Sequence, residues 1–199
     1  MNKIWLLGDS ITYEYGTYFK PQWEASHPGD IVTVLGVGGE TSRGGKTRAL
    51  GLLSAATDLP TVAVLSWGTN DCVTLIDPND QHIDISAQQT AENVRDMALA
   101  LRAAGVRPIV GLPIGFPAVS SVPPEPPEWR ILMRKLTEWC SDQRQALRHI
   151  LRPLDIDFFP MPRRNEASFW ADAFHPTWPN AEAIVAPGIA TALTALGVV

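Results

Sequence analysis

Apolar runs alternate with amphipathic segments along the whole chain. Runs rich in Val, Ile and Leu, such as residues 62–65, lack the polar alternation of a half-exposed strand. Such runs are typical of strands covered on both faces. They predict strands at about 3–8, 30–37, 61–66, 107–112 and 153–158. Helix-like segments lie between the strands, at roughly 12–26, 44–57, 86–104, 128–149 and 179–196.

This alternation predicts an α/β layered domain with a parallel sheet. The segment 86–104 has the clearest helical pattern, because Ser86 can cap its start and Gly105 can end it. Four of its apolar side chains fall on one face: Val94, Met97, Ala98 and Leu101. We find no internal repeat and no boundary of a second domain, so residues 1–199 are expected to form one domain.

Composition restricts the class of protein and its partners. The apolar fraction is 45% and the net charge is −5. Proteins that bind nucleic acid usually carry a basic surface, so we expect no nucleic-acid partner. The N-terminus shows no signal-peptide pattern and no apolar run could span a bilayer, so we expect a cytoplasmic protein without a membrane span. A chain whose signal had been removed would look the same. Cys72 and Cys140 lack a metal-type spacing and are expected to be buried thiols.

Three short motifs each follow a predicted strand. Ser10 follows the first strand, Gly38 and Gly39 follow the second, and Asn70 follows the third. In parallel α/β sheets, ligands bind beyond the carboxyl ends of the strands. The three loops are therefore expected to converge at one edge of the sheet.

A serine hydroxyl is a poor nucleophile until a base removes its proton. Asp172 and His175 are three residues apart and can lie side by side in one turn. The aspartate can then orient one ring nitrogen, and the other nitrogen can act as the base for Ser10. The remaining histidines lack a comparable partner and are expected at the surface or its boundary: His27, His82 and His149.

The glycine-rich segment 36–41 can supply backbone donors to a developing oxyanion, because glycine lets the chain approach a ligand closely. It could also be only a tight turn. The segment lacks the third glycine of a dinucleotide-binding fingerprint, and Glu40 occupies the position where a phosphate-binding loop needs glycine. Nucleotide binding is therefore not expected here. The amide of Asn70 can donate to the same oxyanion, or it can merely stabilise a turn.

Four motifs occur in a fixed order: Gly8-Asp9-Ser10-Ile11, Gly39-Glu40-Thr41, Gly68-Thr69-Asn70-Asp71 and Asp172-x-x-His175. Together they resemble the SGNH hydrolase superfamily, also called GDSL esterases and lipases, from Ser10 to His175. The resemblance implies a flavodoxin-like α/β/α sandwich of three layers with about five parallel strands.

The resemblance also implies the site residues. It assigns the nucleophile to Ser10 and its partners to Asp172 and His175. It assigns the oxyanion hole to the backbone N–H groups of Ser10 and Gly39 and the side chain of Asn70. Gly39 is favoured over Gly38 because the matching glycine precedes the acidic residue and Thr. No metal or organic cofactor is required.

The expected activity is hydrolysis of short-chain carboxylic esters, such as O-acetyl groups on carbohydrate. The loops are short, except for the proline-rich segment 113–127, which is either a connector or a wall of the pocket. An acyl thioesterase or lysophospholipase with the same site is the alternative, and a non-catalytic module that binds acylated glycans is another. Six side chains are candidates for the pocket, although the aromatic ones could equally belong to the core: Asp9, Trp67, Phe116, Trp129, Phe174 and Trp178.

Overall fold

A computed structural model of the protein describes residues 1–74, 85–114, 127–162, 167–169, 171 and 175–198. At 72–74, 127–136 and 167 the description covers the backbone alone. Every structural statement below refers to these residues.

Five parallel strands form one sheet in the order β2-β1-β3-β4-β5. Their bounds are β1 (Lys3–Gly8), β2 (Ile31–Gly36), β3 (Val62–Ser66), β4 (Arg107–Leu112) and β5 (Asp157–Pro160). This is the flavodoxin-like strand order, so the predicted α/β fold with five parallel strands is confirmed. β1 lies at the centre of the first three strands, and the carboxyl ends of these strands are therefore adjacent.

Helices lie between the strands and after the last one. They are α1 (Ser10–Ser26), α2 (Ser42–Ala55), α3 (Thr69–Thr74), α4 (Ala87–Ala103), α5 (Pro127–Leu151), α6 (Trp178–Asn180) and α7 (Ala186–Ala195). A π-helical turn, Ala181–Val185, joins the last two. The sequence patterns therefore predicted the longer helices to within a few residues, and they missed α3.

Each face of the sheet carries its own hydrophobic core, because successive strand residues point to opposite faces. On β1, Ile4 and Leu6 pack in a cluster with apolar residues of α1 and α7. Leu7 points to the other face and joins a cluster with residues of α2, α4 and α5. The sheet is thus the middle of three layers.

The fifth strand begins later than its apolar pattern predicted. Residues Arg152–Leu154 form a 3₁₀ turn, and Asp155 adopts a left-handed conformation with φ of 52°. Pro153 cannot donate a hydrogen bond to a neighbouring strand, and a positive φ turns the chain out of an extended path. The strand therefore starts at Asp157 instead of residue 153.

Two further expectations concerned membranes and cysteines. Within the described part of the chain, no helix combines the length and apolarity needed to cross a membrane. Cys140 is buried in α5. Cys72 lies where only the backbone is described.

Ser86 caps the start of α4. Its Oγ accepts a hydrogen bond from the backbone N–H of Gln89 at 3.1 Å.

The packing of α4 leads to a stability prediction. Met97 is fully buried, whereas Leu99 on the same helix is exposed. Met97→Ala should lower the free energy of unfolding by about 2–5 kcal/mol, because it leaves a cavity. Leu99→Ala should cost less than about 1 kcal/mol. Urea unfolding of both variants measures the difference, and equal losses would contradict the assigned face of α4.

Candidate active site

Ser10 is the first residue of α1, immediately after the end of β1. Asp9 caps the helix, since its carboxylate accepts a hydrogen bond from the N–H of Ile11 at 3.0 Å. The carbonyl of Asp9 accepts from the N–H of Tyr13 at 3.1 Å. Helix geometry leaves the N–H of Ser10 without an intrahelical acceptor, at the positive end of the helix dipole. Both the hydroxyl and the N–H of this serine therefore belong to a helix N-terminus at the edge of the sheet.

The first turn of α1 rests directly on the end of β2. A Cβ atom at Gly36 would lie 2.3 Å from the backbone nitrogen of Tyr13 and 2.8 Å from the carbonyl oxygen of Asp9. No side chain fits in that space, so glycine at this position permits the close approach. This contact between Gly36 and the first turn of α1 sets the position of Ser10 relative to the loop that follows β2.

The hydroxyl of Ser10 meets the imidazole of His175. Ser10 Oγ lies 2.8 Å from His175 Nε2, although the two residues are 165 positions apart in sequence. Both residues are half-buried. At this hydrogen-bonding distance the imidazole can take a proton from the hydroxyl.

Hydrogen bonds on both sides of His175 hold it in place. The N–H of Ala171 donates to the carbonyl of His175 at 2.8 Å, and the N–H of Thr177 donates to the carbonyl of Phe169 at 2.9 Å. The amide of Asn180 donates to the hydroxyl of Thr177 at 2.7 Å and to the carbonyl of Phe169 at 3.1 Å. Since Phe169 is buried in the core, the segment carrying the imidazole is anchored to the body of the protein.

The loop after β2 brings Gly39 next to Asn70. Gly39 has a φ of +73°, a conformation that favours glycine. Asn70 lies in the first turn of α3, and its Nδ2 donates to the carbonyl of Glu40 at 3.1 Å. An amide nitrogen carries two hydrogens, so the second one can serve another acceptor. Ser10, Gly39 and Asn70 thus follow three adjacent strands, as the sequence predicts.

The sequence patterns did not reveal that the side chain of Arg48 holds the loop after β2. Arg48 of α2 donates from Nε to Glu40 Oε1 at 2.7 Å and from Nη2 to Glu40 Oε2 at 2.5 Å. Trp67 Nε1 donates to Glu40 Oε2 at 3.2 Å. A Cβ at Gly45 would lie 2.4 Å from the Trp67 ring, so the glycine lets α2 approach the indole. This glycine in the first turn of α2 is the sequence signal of the contact.

A second polar network lies deeper, around Asp71. Its carboxylate accepts from the N–H of Ser42 at 2.6 Å and from the hydroxyl of Thr90. Asn93 Nδ2 donates to Ser42 Oγ at 3.0 Å. Burial raises the pKa of Asp71, and the hydrogen bonds from Ser42 and Thr90 oppose that rise. The network ties the start of α2 to α3 and α4 beneath the glycine loop.

The candidate pocket residues differ in their exposure. Asp9 and Trp67 are each 2% exposed, so they support the site from beneath instead of lining an open surface. Trp178 is 52% exposed, and its ring meets the edge of Tyr18 at 6.0 Å between centroids. Among the side chains that the structure describes, no three His, Cys, Asp or Glu residues group as metal ligands do.

Some predicted residues lie outside the described part of the chain. They are Asp172, Phe116, Phe174 and the side chain of Trp129, together with most of the segment 113–127. The assignments of these residues stay predictions.

The chain belongs to an acylhydrolase family. Residues 6–179 match the sequence model of the GDSL-like Lipase/Acylhydrolase family, and this match confirms the resemblance to SGNH hydrolases. No curated protein sequence matches the chain.

Solved structures share the fold over nearly the whole chain. An acetylxylan esterase from Geobacillus stearothermophilus superposes with a TM-score of 0.73 at 16% identity, covering 96% of this chain and 94% of that one. A carbohydrate acetylesterase from Sinorhizobium meliloti superposes with a TM-score of 0.73 at 15% identity, covering 98% of this chain and 100% of that one. A GDSL-like lipase from Bacteroides thetaiotaomicron superposes with a TM-score of 0.66 at 19% identity, covering 96% of this chain and 89% of that one. At these identities the likeness establishes the fold.

The burial of Asp9 leads to a prediction about pH. Burial raises the pKa of Asp9 to about 7, and the charge of Asp71 adds to the rise, while the N–H of Ile11 and the charge of His175 lower it. Between about pH 4 and pH 7 the folded protein therefore keeps a proton that the unfolded chain releases. The free energy of unfolding should fall with rising pH over that window, by up to about 1.4 kcal/mol per pH unit.

Asp9→Asn keeps a capping oxygen and removes this titration. Urea unfolding at pH 5, 6, 7 and 8 should show the variant gaining stability relative to the original protein up to pH 7 and then holding level. A constant difference between Asp9→Asn and the original protein would show that Asp9 titrates normally.

Proposed function

We propose that the protein is a serine esterase that hydrolyses short-chain carboxylic esters. Ser10 is the nucleophile, His175 is its base, and Asp172 orients the imidazole. The observation that carries the proposal is the 2.8 Å contact between Ser10 Oγ and His175 Nε2. It lies at the carboxyl ends of parallel strands, in a chain of an acylhydrolase family.

Acylation begins when His175 Nε2 takes the proton of the Ser10 hydroxyl. The oxygen then attacks the ester carbonyl carbon and forms a tetrahedral intermediate. As that intermediate collapses, the protonated imidazole gives its proton to the leaving alcohol. The acyl group remains on Ser10.

The negative oxygen of the intermediate needs donors that are already in place. The N–H of Ser10 lies at a helix N-terminus, where the dipole favours negative charge. Asn70 supplies its second amide hydrogen, and Gly39 supplies its peptide N–H from the adjacent loop. Three donors from three strand ends then serve one oxygen atom.

Deacylation repeats the chemistry with water. His175 takes a proton from the water molecule as it attacks the acyl-enzyme carbonyl. When the second tetrahedral intermediate collapses, the imidazole returns that proton to Ser10 Oγ and the acid is released. The role of Asp172 in orienting His175 rests on its spacing in the sequence and on the family resemblance. Every step uses side chains and backbone of this chain alone.

Replacement of the nucleophile tests the mechanism. Ser10→Ala should reduce the hydrolysis of p-nitrophenyl acetate by at least about a thousandfold, because it removes the hydroxyl on which the acyl-enzyme forms. Ser54→Ala, at an exposed serine of α2, is the matched control and should keep full activity. A fluorophosphonate probe should label the original protein and fail to label Ser10→Ala. Undiminished hydrolysis by Ser10→Ala would refute the mechanism, and an unlabelled original protein would favour a non-catalytic binding module.

We also propose that the acyl group is small and that the alcohol is a carbohydrate. Two proteins with the same fold are described as an acetylxylan esterase and a carbohydrate acetylesterase. The exposed ring of Trp178, three residues after His175, offers an apolar face of the kind on which a sugar ring can pack.

A substrate panel tests this choice. In a series of p-nitrophenyl esters, the acetyl ester should give the highest kcat/KM, and acetylated xylooligosaccharides should be hydrolysed faster than acetyl thioesters. Trp178→Ala should raise KM for the acetylated sugars and leave KM for p-nitrophenyl acetate unchanged. An optimum at butyryl or longer chains, or a preference for thioesters, would instead support the lysophospholipase or thioesterase alternative.

A further inference from the structure

The loop that carries Gly39 has little packing of its own. A Cβ atom at Gly38 or Gly39 would meet no atom within 4 Å, so both residues face open space. The backbone of the loop is tied by the N–H of Val37, which donates to the carbonyl of Gly8 at 3.0 Å, and by the N–H of Glu40, which donates to the carbonyl of Val37 at 3.2 Å. The side chain of Glu40, the next residue after Gly39, adds an attachment to α2 and to Trp67.

Arg48 binds the carboxylate of Glu40 with two parallel hydrogen bonds, 2.7 Å and 2.5 Å long. The Glu40 side chain is only 11% exposed, and Trp67 Nε1 donates to the same carboxylate. A bidentate pair of this kind fixes direction as well as distance. Because the pair is partly buried, solvent ions screen it less than an ordinary surface ion pair.

The same guanidinium lies close to Gly8 at the end of β1 and to residues that follow β2 and β3. Arg48 Nη2 lies 3.4 Å from the carbonyl oxygen of Gly8, the last residue of β1. Arg48 Cζ lies 6.0 Å from the ring centroid of Trp67, which follows β3. Glu40, which Arg48 binds, follows β2. The planar fork and the stacking face are properties of arginine that lysine does not share.

We propose that Arg48 is a positioning residue for the oxyanion hole, acting through Glu40. Because Asn70 Nδ2 donates to the carbonyl of Glu40, a shift of Glu40 moves the Asn70 amide together with the adjoining Gly39 peptide. Arg48 thereby keeps two oxyanion donors directed at one point. This inference rests on the proposed function of the site.

The decisive experiment separates turnover from binding. Arg48→Lys and Arg48→Met should lower kcat for p-nitrophenyl acetate by about ten- to a hundredfold, less than the loss of a whole oxyanion donor. KM should stay within about twofold, because the small ester binds before charge develops. An arginine that only stabilises the fold would leave kcat unchanged per folded molecule.

Lys46→Met is the matched control. Lys46 lies on the same helix, its side chain is 33% exposed against 25% for Arg48, and it forms an ion pair with Asp96 instead of Glu40. Its kcat and KM should equal those of the original protein. Unfolding midpoints of all variants show the folded fraction, and Arg48→Lys serves if Arg48→Met does not fold. An unchanged kcat in the Arg48 variants, or a rise in KM alone, overturns the proposal.

A double variant tests the route through Glu40. Glu40→Gln loses the ion pair and keeps both an acceptor for Trp67 and the backbone carbonyl that Asn70 uses. The double variant of Arg48→Met with Glu40→Gln should be no slower than Arg48→Met alone, since both changes break one connection. Losses that multiply would show that Arg48 acts by another route.

A measurement without substrate separates this inference from the proposed function. Amide hydrogen exchange in the loop 37–41 should be faster in Arg48→Met than in the original protein or Lys46→Met. If the original protein hydrolyses no ester, the proposed function fails, yet exchange still shows whether Arg48 holds the loop. Equal exchange in all three proteins overturns the positioning role.

Discussion

The contact between Ser10 and His175 depends on how α1 packs against the C-terminal helices. Ser10 begins α1, and His175 comes just before α6, so the two groups are brought together only by tertiary packing. Tyr15 and Phe19 of α1 share one buried cluster with Ile189 of α7. Because protein interiors are closely packed, a displacement of either helix changes the distance between the hydroxyl and the imidazole. The core on this face of the sheet therefore also supports the contact between Ser10 and His175.

The other face of the sheet supports the opposite half of the site. Here α2 and α4 hold the glycine loop through polar groups, with Asp71 and Ser42 in one network and Glu40 and Arg48 in the other. Buried polar groups are costly unless they are paired, so such networks have few alternative arrangements. Trp67 belongs to the hydrophobic cluster of this layer and donates to the carboxylate of Glu40, which joins the loop to the core. The sheet thus separates two supports that meet at its carboxyl edge.

The sequence was informative wherever a local pattern determines the structure. Buried strands appear as continuous apolar runs, so the fold and the places of Ser10 and Asn70 after β1 and β3 could be predicted. No strand pattern locates His175, and its pairing with Ser10 was expected from its spacing to Asp172 and from the family resemblance. The fifth strand was misplaced because the left-handed turn at Asp155 leaves no mark in the apolar pattern. The pairing of Arg48 with Glu40 was missed for another reason. Acidic and basic residues eight positions apart are common in sequences, so this spacing does not indicate an ion pair. The packing of α2 against Trp67 brings Arg48 and Glu40 together.

The distance along the chain between Ser10 and His175 bears on how the protein is made. A ribosome adds the serine first and the histidine 165 residues later. Throughout that interval the growing polypeptide carries the hydroxyl without the imidazole that it meets in the fold. The contact therefore forms only after the segment that carries His175 has left the ribosome and packed against α1.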